Sequence, residues 1–502
     1  MFEGQPKGLF ALALANTGER FGYYTMLAVF ALFLRANYGL SPAMAGTIYS
    51  SFLMLVYFLP LIGGIMADKY GFGKMVTTGI IIMFAGYLLL SVPLGGDSIA
   101  LIVMLAALLL IGFGTGLFKG NLQVMVGDLY NDPQYKDKRD AGFSIFYMAI
   151  NIGALFAPTA AIRIKEYAET ALGYSSNDAY HFSFAVACAS LILSIAIYYV
   201  FRSTFRHTEG GKKKEESGKS KVESEPELTK EETKQRIVAL CLVFAVVIFF
   251  WMAFHQNGLT LTWFADEFTA TSSSGVQSML FDVTNLVAVI VIVYALFSLF
   301  QSKTSKGKMW AGILIGFSVA YLIYQYTHLE PETAISAPIF QHFNPCFVVL
   351  LTPVSIALFS WLAGKGKEPK APVKIGLGML VAASAYLLMT VCSFGLPATD
   401  HPNHVAEVNP NLLVSTYLIL TFAELLLSPI GISFVTKVAP PKYKGMIMGG
   451  WFVATALGNK LVSIPGHMWD MPLYIVWGTL MAICLLAALF IFSIIKKLNK
   501  VA

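Results

Sequence analysis

Charge is scarce in this chain. Asp, Glu, Lys and Arg make up 13% of its 502 residues, against roughly 25% in soluble domains. With 56% hydrophobic residues and a mean hydropathy of +0.66, the shortage excludes a large soluble core and indicates a polytopic membrane protein. Cysteine is scarce as well. Cys188, Cys241, Cys346, Cys392 and Cys484 all fall inside apolar runs, without paired or metal-ligand spacing. They read as small packing residues, so neither a disulfide framework nor a metal site is expected. A nucleophile–base set and a phosphate loop are also missing, so the chain is not read as an enzyme and no cofactor is expected. The net charge of +6 does not point to nucleic acid, because the basic residues sit in short loops between apolar runs. The first apolar run carries Glu19 and Arg20 and has no small-residue cleavage site after it, which reads as a retained helix rather than a signal peptide.

What is present is a series of long apolar segments. Fourteen candidate spans, the first at 8–35 and the last at 472–496, each suit the thickness of a bilayer. The class is therefore all-α. Loops alternate in charge. Lys69 and Lys74, Lys136, Lys138 and Arg139, the 303–308 lysines, Lys365–Lys374, and Lys437–Lys444 fall on one side, together with the terminal lysines. Asp97, Asp266, Glu267, Glu330, Glu332, Asp400, Glu407 and Asp470 fall on the other, with Arg163 and Lys165 as exceptions. The positive-inside rule then puts both termini in the cytoplasm, in a cell (inner) membrane.

Residues 202–236 are crowded with Lys, Glu and Ser and read as a hydrophilic cytoplasmic linker. Six spans precede it (1–201) and eight follow (237–502). Six plus six around such a linker resembles the plan of the major facilitator superfamily, two six-helix bundles about a central cavity. The surplus spans, 282–301 and 309–328, form a hairpin with a basic turn at 301–308 and no interior Glu, Lys or Arg. They read as a lipid-facing accessory. The alternative, one amphipathic segment plus one span, would invert every later loop.

Three core spans carry charge where lipid would not tolerate it. Asn16, Glu19, Arg20 and Tyr23 are spaced by three, four and seven, which places them on one face of the first helix, with Tyr24 next in line. Glu19 and Arg20 lie about 18 Å along it, near the midplane. Lys119 follows Gly114-Thr-Gly-Leu-Phe in the fourth span, and Glu424 lies in the tenth core span. Polar companions are Asn151, Gln256, His255 and Asn344. A charge at that depth costs at least about 2.5–3.5 kcal/mol, so these residues are expected to face a wet cavity. Two cations in the N-terminal half and an isolated acid in the C-terminal half suit a zwitterion: Arg20 and Lys119 for its carboxylate, Glu424 for its ammonium. Glu19 could carry a coupling proton. The competing reading is a set of ion pairs that only hold the helices together, which buried pairs do poorly.

Several segments resemble the proton-dependent oligopeptide transporter family: Glu19-Arg-Phe-Gly-Tyr-Tyr24, Gly63-Gly-Ile-Met-Ala-Asp-Lys69, Arg139 to Tyr147 with Ile150-Asn151-Ile-Gly153, Phe340-Gln-His-Phe-Asn-Pro345, Phe422-Ala-Glu-Leu-Leu-Leu-Ser-Pro429, and Gly450-Trp-Phe452 with Gly458-Asn459. They keep the family's order along the chain. The resemblance implies import of di- and tripeptides by proton symport with alternating access. It implies that Arg20 and Lys119 face the peptide's carboxyl end and that Asn151, Asn344 and Glu424 face its amino end and backbone. Tyr23, Tyr57, Trp251, Trp451 and Ser428 would complete the substrate site, with Asp68 as a gating residue. A monomer in the lipid bilayer is expected. The alternative function is a facilitator or symporter of another small zwitterion or anion.

Three positions depart from the family pattern. Asn16 stands where relatives usually have Glu, Leu27 where they often have Arg, and His255 where they often have Glu. With both partners of that Arg–Glu pair missing, the outer gate is expected to close by packing at Leu27, with His255 as a second candidate proton carrier beside Glu19. Single cysteines placed in the 301–308 turn should be labelled from the cytoplasmic side only; labelling from outside would overturn the predicted topology.

Overall fold

The computed structural model describes residues 4–210, 228–397, 399, 408–440 and 443–501. Segments that leave water must satisfy their own backbone groups, so the apolar runs become helices. In order these are α1 (Lys7–Tyr38), α2 (Pro42–Tyr70), α3 (Phe72–Ser91), α4 (Ser98–Asp128), α5 (Arg139–Thr170), α6 (Ser176–Val200), α7 (Lys230–Phe254) and α8 (Thr260–Glu267). Then come α9 (Val283–Gln301), α10 (Ser305–Thr327), α11 (Phe343–Gly364), α12 (Ala371–Cys392), α13 (Asn411–Val438), α14 (Lys444–Leu461), α15 (Ser463–His467), α16 (Leu473–Ser493) and α17 (Ile495–Leu498). Short strands β1 (Ser272–Ser273) and β2 (Thr333–Ala334) pair antiparallel and tie together the chain entering and leaving the α9–α10 hairpin.

Among the described residues, 13 helical stretches are long and apolar enough to cross a membrane. The expected fourteenth is α1. It has the length, at 32 residues, but Asn16, Glu19 and Arg20 make it less apolar than the rest, because it serves the interior. α1 packs on α5 and α6, α3 on α4 and α6, and α2 on α4. In the second group α12 packs on α13 and α16, α14 and α16 on α7, and α11 on α13. This is the two-bundle arrangement of the major facilitator fold. The hairpin helices α9 and α10 pack on each other, and α9 touches α11 and α5. Phe300, Trp310 and Phe317 point outward and exposed.

The segment expected as a linker at 202–236 carries regular structure on both of its described flanks. Residues 211–227 lie outside the described residues. On one flank Arg202–Thr204 and Arg206–Thr208 form 3-10 turns. The Glu209 carboxylate accepts from Arg202 (2.7 Å) and the Tyr198 hydroxyl (2.8 Å), while its carbonyl accepts the Gly73 N–H (3.0 Å). On the other flank α7 starts seven residues earlier than the expected 237, because Thr229 and Glu232 form a reciprocal capping box. The exceptions to the charge pattern are neutralised locally. Arg163 pairs with Glu166 (3.5 Å) and Lys165 with Glu169 (2.5 Å).

The two groups close on each other at the end where α1 finishes. Trp263 of α8 donates to the Ala31 carbonyl (3.2 Å), and Gln341 donates to the Ala28 carbonyl (3.1 Å) and the Thr262 hydroxyl (3.0 Å). Arg35 pairs with Glu267, which also accepts from the Trp469 indole (3.1 Å). α15 packs on α2, and Lys460 of α14 donates to the Ser51 hydroxyl (2.6 Å). Leu27 is buried just inside this seal.

Close helix approach sets the cavity walls. A Cβ on Gly63 of α2 would fall 2.1 Å from the Gly116 carbonyl oxygen of α4. That contact holds the helices bearing Tyr57 and Lys119 together. A Cβ on Gly458 of α14 would fall 2.4 Å from the Ile248 carbonyl oxygen of α7, and this contact sets Asn459 beside the end of α7. Gly63→Ala should therefore cost about 1–3 kcal/mol by overpacking, seen as earlier thermal unfolding in detergent. An unchanged transition would mean that α2 and α4 separate freely there.

Candidate functional site

Helical spacing puts Glu19, Arg20, Tyr23 and Tyr24 on α1 towards the interior, where the first two are almost fully buried. Arg20 makes a two-pronged contact with its neighbour, Nε to Glu19 Oε2 at 2.5 Å and a terminal nitrogen to Oε1 at 2.7 Å. Its guanidinium also lies 4.7 Å from the centre of the Tyr23 ring. A buried charge needs a partner, and here Glu19 and Arg20 supply each other.

Lys119 is placed differently. Its ammonium sits 3.9 Å from the centre of the Tyr57 ring, a cation–π contact. Among the described residues it has no carboxylate within 4 Å. Arg20 and Glu19 are near enough to interact with it electrostatically.

The opposite wall holds Glu424 on α13, 8% exposed. Asn344 of α11 donates to its Oε2 at 2.9 Å and to the Thr421 hydroxyl at 3.1 Å. Among the described residues Glu424 thus has a neutral partner and no Lys, Arg or His nitrogen within 4 Å. Across the cavity it lies within electrostatic reach of Tyr24, Tyr57 and Tyr147. Ser428 follows Glu424 by one turn and is half-buried.

The third wall is the end of α7. The helix stops at Phe254, turns through His255–Gly258 in a 3-10 turn, and resumes as α8. Side chains satisfy the freed backbone. Tyr417 and Thr262 donate to the Asn257 carbonyl (2.7 and 3.0 Å), and Gln256 donates to the Met252 and Val462 carbonyls (3.0 and 3.1 Å). His255 Nδ1 meets Asn459 Oδ1 at 2.5 Å. Its ring stacks on Trp251 at 5.0 Å and faces Tyr57 at 6.0 Å.

The structure therefore brings Glu19, Arg20, Tyr23, Tyr57, Lys119, Trp251, His255, Asn344 and Glu424 around one space. Asn151 is buried, with one amide N–H on the Tyr147 carbonyl of its own helix (3.0 Å) and its side chain also against that of Tyr147. Trp451 is buried, 6.4 Å from Phe244 and against Gly431. Asp68 is exposed at the end of α2, about three turns beyond Tyr57, and Leu27 lies about two turns beyond Arg20; neither joins the group. Sequence reasoning assigned no role to Thr421, Tyr147 or Asn459. The first could have been found by its spacing of three from Glu424. The other two stood inside motifs and acquire partners only across helices or in the cavity.

The Glu19–Arg20 contact makes a stability prediction. Glu19→Ala strands a buried guanidinium and should cost about 3–5 kcal/mol. The double variant Glu19→Ala, Arg20→Met should recover most of that loss. Thermal unfolding of the variants checks it, and additive losses would mean the two side chains are not coupled.

The chain is similar to known proteins along nearly its whole length. The family model described as the POT family matches residues 73–222 and 319–472. A Bacillus subtilis protein named Uncharacterized transporter YclF is 30% identical, over 95% of this chain and 91% of its own length. A Di-/tripeptide transporter of Lactococcus lactis subsp. lactis is 28% identical, over 92% of this chain and 89% of its own. A crystal structure of the peptide transporter POT in complex with sulfate is 25% identical with a TM-score of 0.74, covering 100% of this chain and 96% of that one. The two-bundle membrane fold, the cavity charges and these matches together make the chain a member of the POT family.

Proposed function

We propose that this protein imports di- and tripeptides by proton symport, with alternating access to the cavity between its two helix groups. The observation that carries the reading is the pair of uncommitted charges on opposite walls: Lys119 over Tyr57, and Glu424 held by Asn344. A peptide's carboxylate suits the first and its ammonium the second. A ligand that engages both walls favours the conformation in which they are close, which is how substrate drives an alternating cycle. Relatives named as di-/tripeptide transporters support the substrate class.

Arg20 is engaged by Glu19 in this conformation. A proton on Glu19 would weaken that pair and free the guanidinium for the carboxylate; its release would restore the pair. Binding of peptide and proton is coupled in that way. The Arg35–Glu267 and Trp263–Ala31 contacts close the outer end, with both termini cytoplasmic. The α9–α10 hairpin presents its exposed aromatic residues to lipid. Tyr23, Tyr57 and Trp251 give the cavity apolar area without demanding one hydrogen-bond pattern, as a site for varied side chains needs.

Purified protein in liposomes should accumulate a dialanine-type peptide when an acid-outside gradient is imposed. Arg20→Ala and Glu424→Ala should abolish that uptake while the protein stays in the membrane. Glu19→Gln should lose gradient-driven accumulation and keep counterflow exchange. Normal uptake by the first two variants would remove the clamp, and accumulation persisting in Glu19→Gln would remove Glu19 as the carrier.

A further inference from the structure

We propose that the lysines at the end of α11, the start of α12 and around α17 form a docking surface for the headgroup of an anionic phospholipid, whose acyl chain lies in the adjoining groove between α11 and α13. This surface is apart from the cavity, and its partner is a component of the membrane, whatever solute the cavity takes.

Two turns of the chain gather the charge. α11 ends at Gly364, Gly366 adopts a left-handed φ of 65°, and the Lys367 N–H returns to the Leu362 carbonyl (2.9 Å). That turn leaves Lys365, Lys367 and Lys370 exposed. After α16 the chain turns again. Leu498 of α17 is fully buried, which leaves Lys496, Lys497 and Lys500 outward and exposed. α17 packs on α12, and Lys370 Nζ donates to the Asn499 carbonyl (3.3 Å), so the two stretches form one patch.

Among the described residues, none of these six lysines has a carboxylate within 4 Å. The acid in the stretch, Glu368, is taken by Lys374 (2.5 Å). The patch therefore holds as much uncompensated charge as the formal net charge of the whole chain, +6. Charges of one sign gathered in this way attract an anion from their surroundings. The neighbouring groups say which anion. Ile356, Leu358 and Trp361 of α11 are exposed, and Lys365 Nζ lies 3.9 Å from the centre of the Trp361 ring. An apolar face ending in Trp and Lys marks the level of lipid headgroups. Beside the patch, Ile356, Phe359, Leu425, Pro429 and Ile430 line a groove of about 340 Å³, with the Lys374–Glu368 pair at its edge and Lys374 Nζ 4.0 Å from the centre of the Phe359 ring. An apolar groove with a basic rim suits an acyl chain below a phosphate, and basic pockets between membrane helices are where anionic headgroups bind. A free phosphate would use the rim alone.

The test is which lipid stays bound. Delipidated protein in detergent is given an equimolar mixture of phosphatidylglycerol and phosphatidylcholine, and the bound lipids are counted by native mass spectrometry. The wild type should retain phosphatidylglycerol over phosphatidylcholine by at least about fivefold. Lys365→Glu, Lys370→Glu and Lys497→Glu together should abolish that preference. The same change of charge on the hairpin turn, Lys303→Glu, Lys306→Glu and Lys308→Glu, should leave it near wild type. Lys365→Gln, Lys370→Gln and Lys497→Gln, which remove charge without reversing it, should lower the ratio about twofold or more, so the result does not hang on whether the glutamate variant folds. Excess glycerol 3-phosphate should not displace the lipid, because it has no acyl chain. No preference in the wild type, an equal loss from the patch and hairpin substitutions, or displacement by glycerol 3-phosphate would each overturn the inference. The second would mean general surface charge, and the third a site for free phosphate.

Discussion

A charge taken out of water has to find an opposite charge or a full set of hydrogen bonds, and the interior of this protein is arranged around that requirement. Four ionisable side chains are buried or half-buried here, and they solve the problem unequally. Glu19 and Arg20 are adjacent in sequence and close on each other with two short contacts. Lys119 has an aromatic face and Glu424 an amide. The adjacent pair on α1 neutralises itself, and the two less completely satisfied groups stand on α4 and α13. The same low-dielectric surroundings that make an unpaired charge costly make its pairing with a substrate effective.

That arrangement depends on contacts made elsewhere. α2 and α4 approach to backbone distance at Gly63, which sets Tyr57 under Lys119. α14 approaches α7 at Gly458, which sets Asn459 against His255. The break after Phe254 re-aims the end of α7 so that His255 faces the cavity rather than the next helical turn. Discontinuous helices at mid-membrane depth are tolerated where side chains meet the freed backbone groups, as Tyr417, Thr262 and Gln256 do here. Beyond the break, α8 and α1 close the far end through Trp263, Arg35 and Glu267. The segment from α7 to α8 therefore contributes both to the site, through Trp251 and His255, and to the seal, through Trp263 and Glu267.

Much of the site was legible because intramembrane charge is costly and so is retained only for a reason. Glu19, Arg20, Lys119 and Glu424 stood out against their apolar runs, and all four face the same space. The helices were legible for a related reason, since only long apolar segments form spans. Less legible were the limits of the linker, where Glu209 folds back on Arg202 and a capping box starts α7 early. Asn151 and Trp451 matched family motifs; one bonds the Tyr147 carbonyl of its own helix and the other is buried beside Phe244. His255 read as a second candidate proton carrier, and its neighbours Tyr57 and Trp251 emerge only with the 3-10 turn that ends α7.

The sequence by itself determined the class, the helical spans and the identity of the buried charges, because hydropathy and charge are properties of residues in order along the chain. Only the tertiary structure decided which charge neutralises which. Glu19 chose Arg20, Lys119 was left to Tyr57, and Asn459 was brought to His255 from 204 positions away. Those choices follow from how closely helices approach and where one of them breaks, and no local pattern encodes distances between segments so far apart.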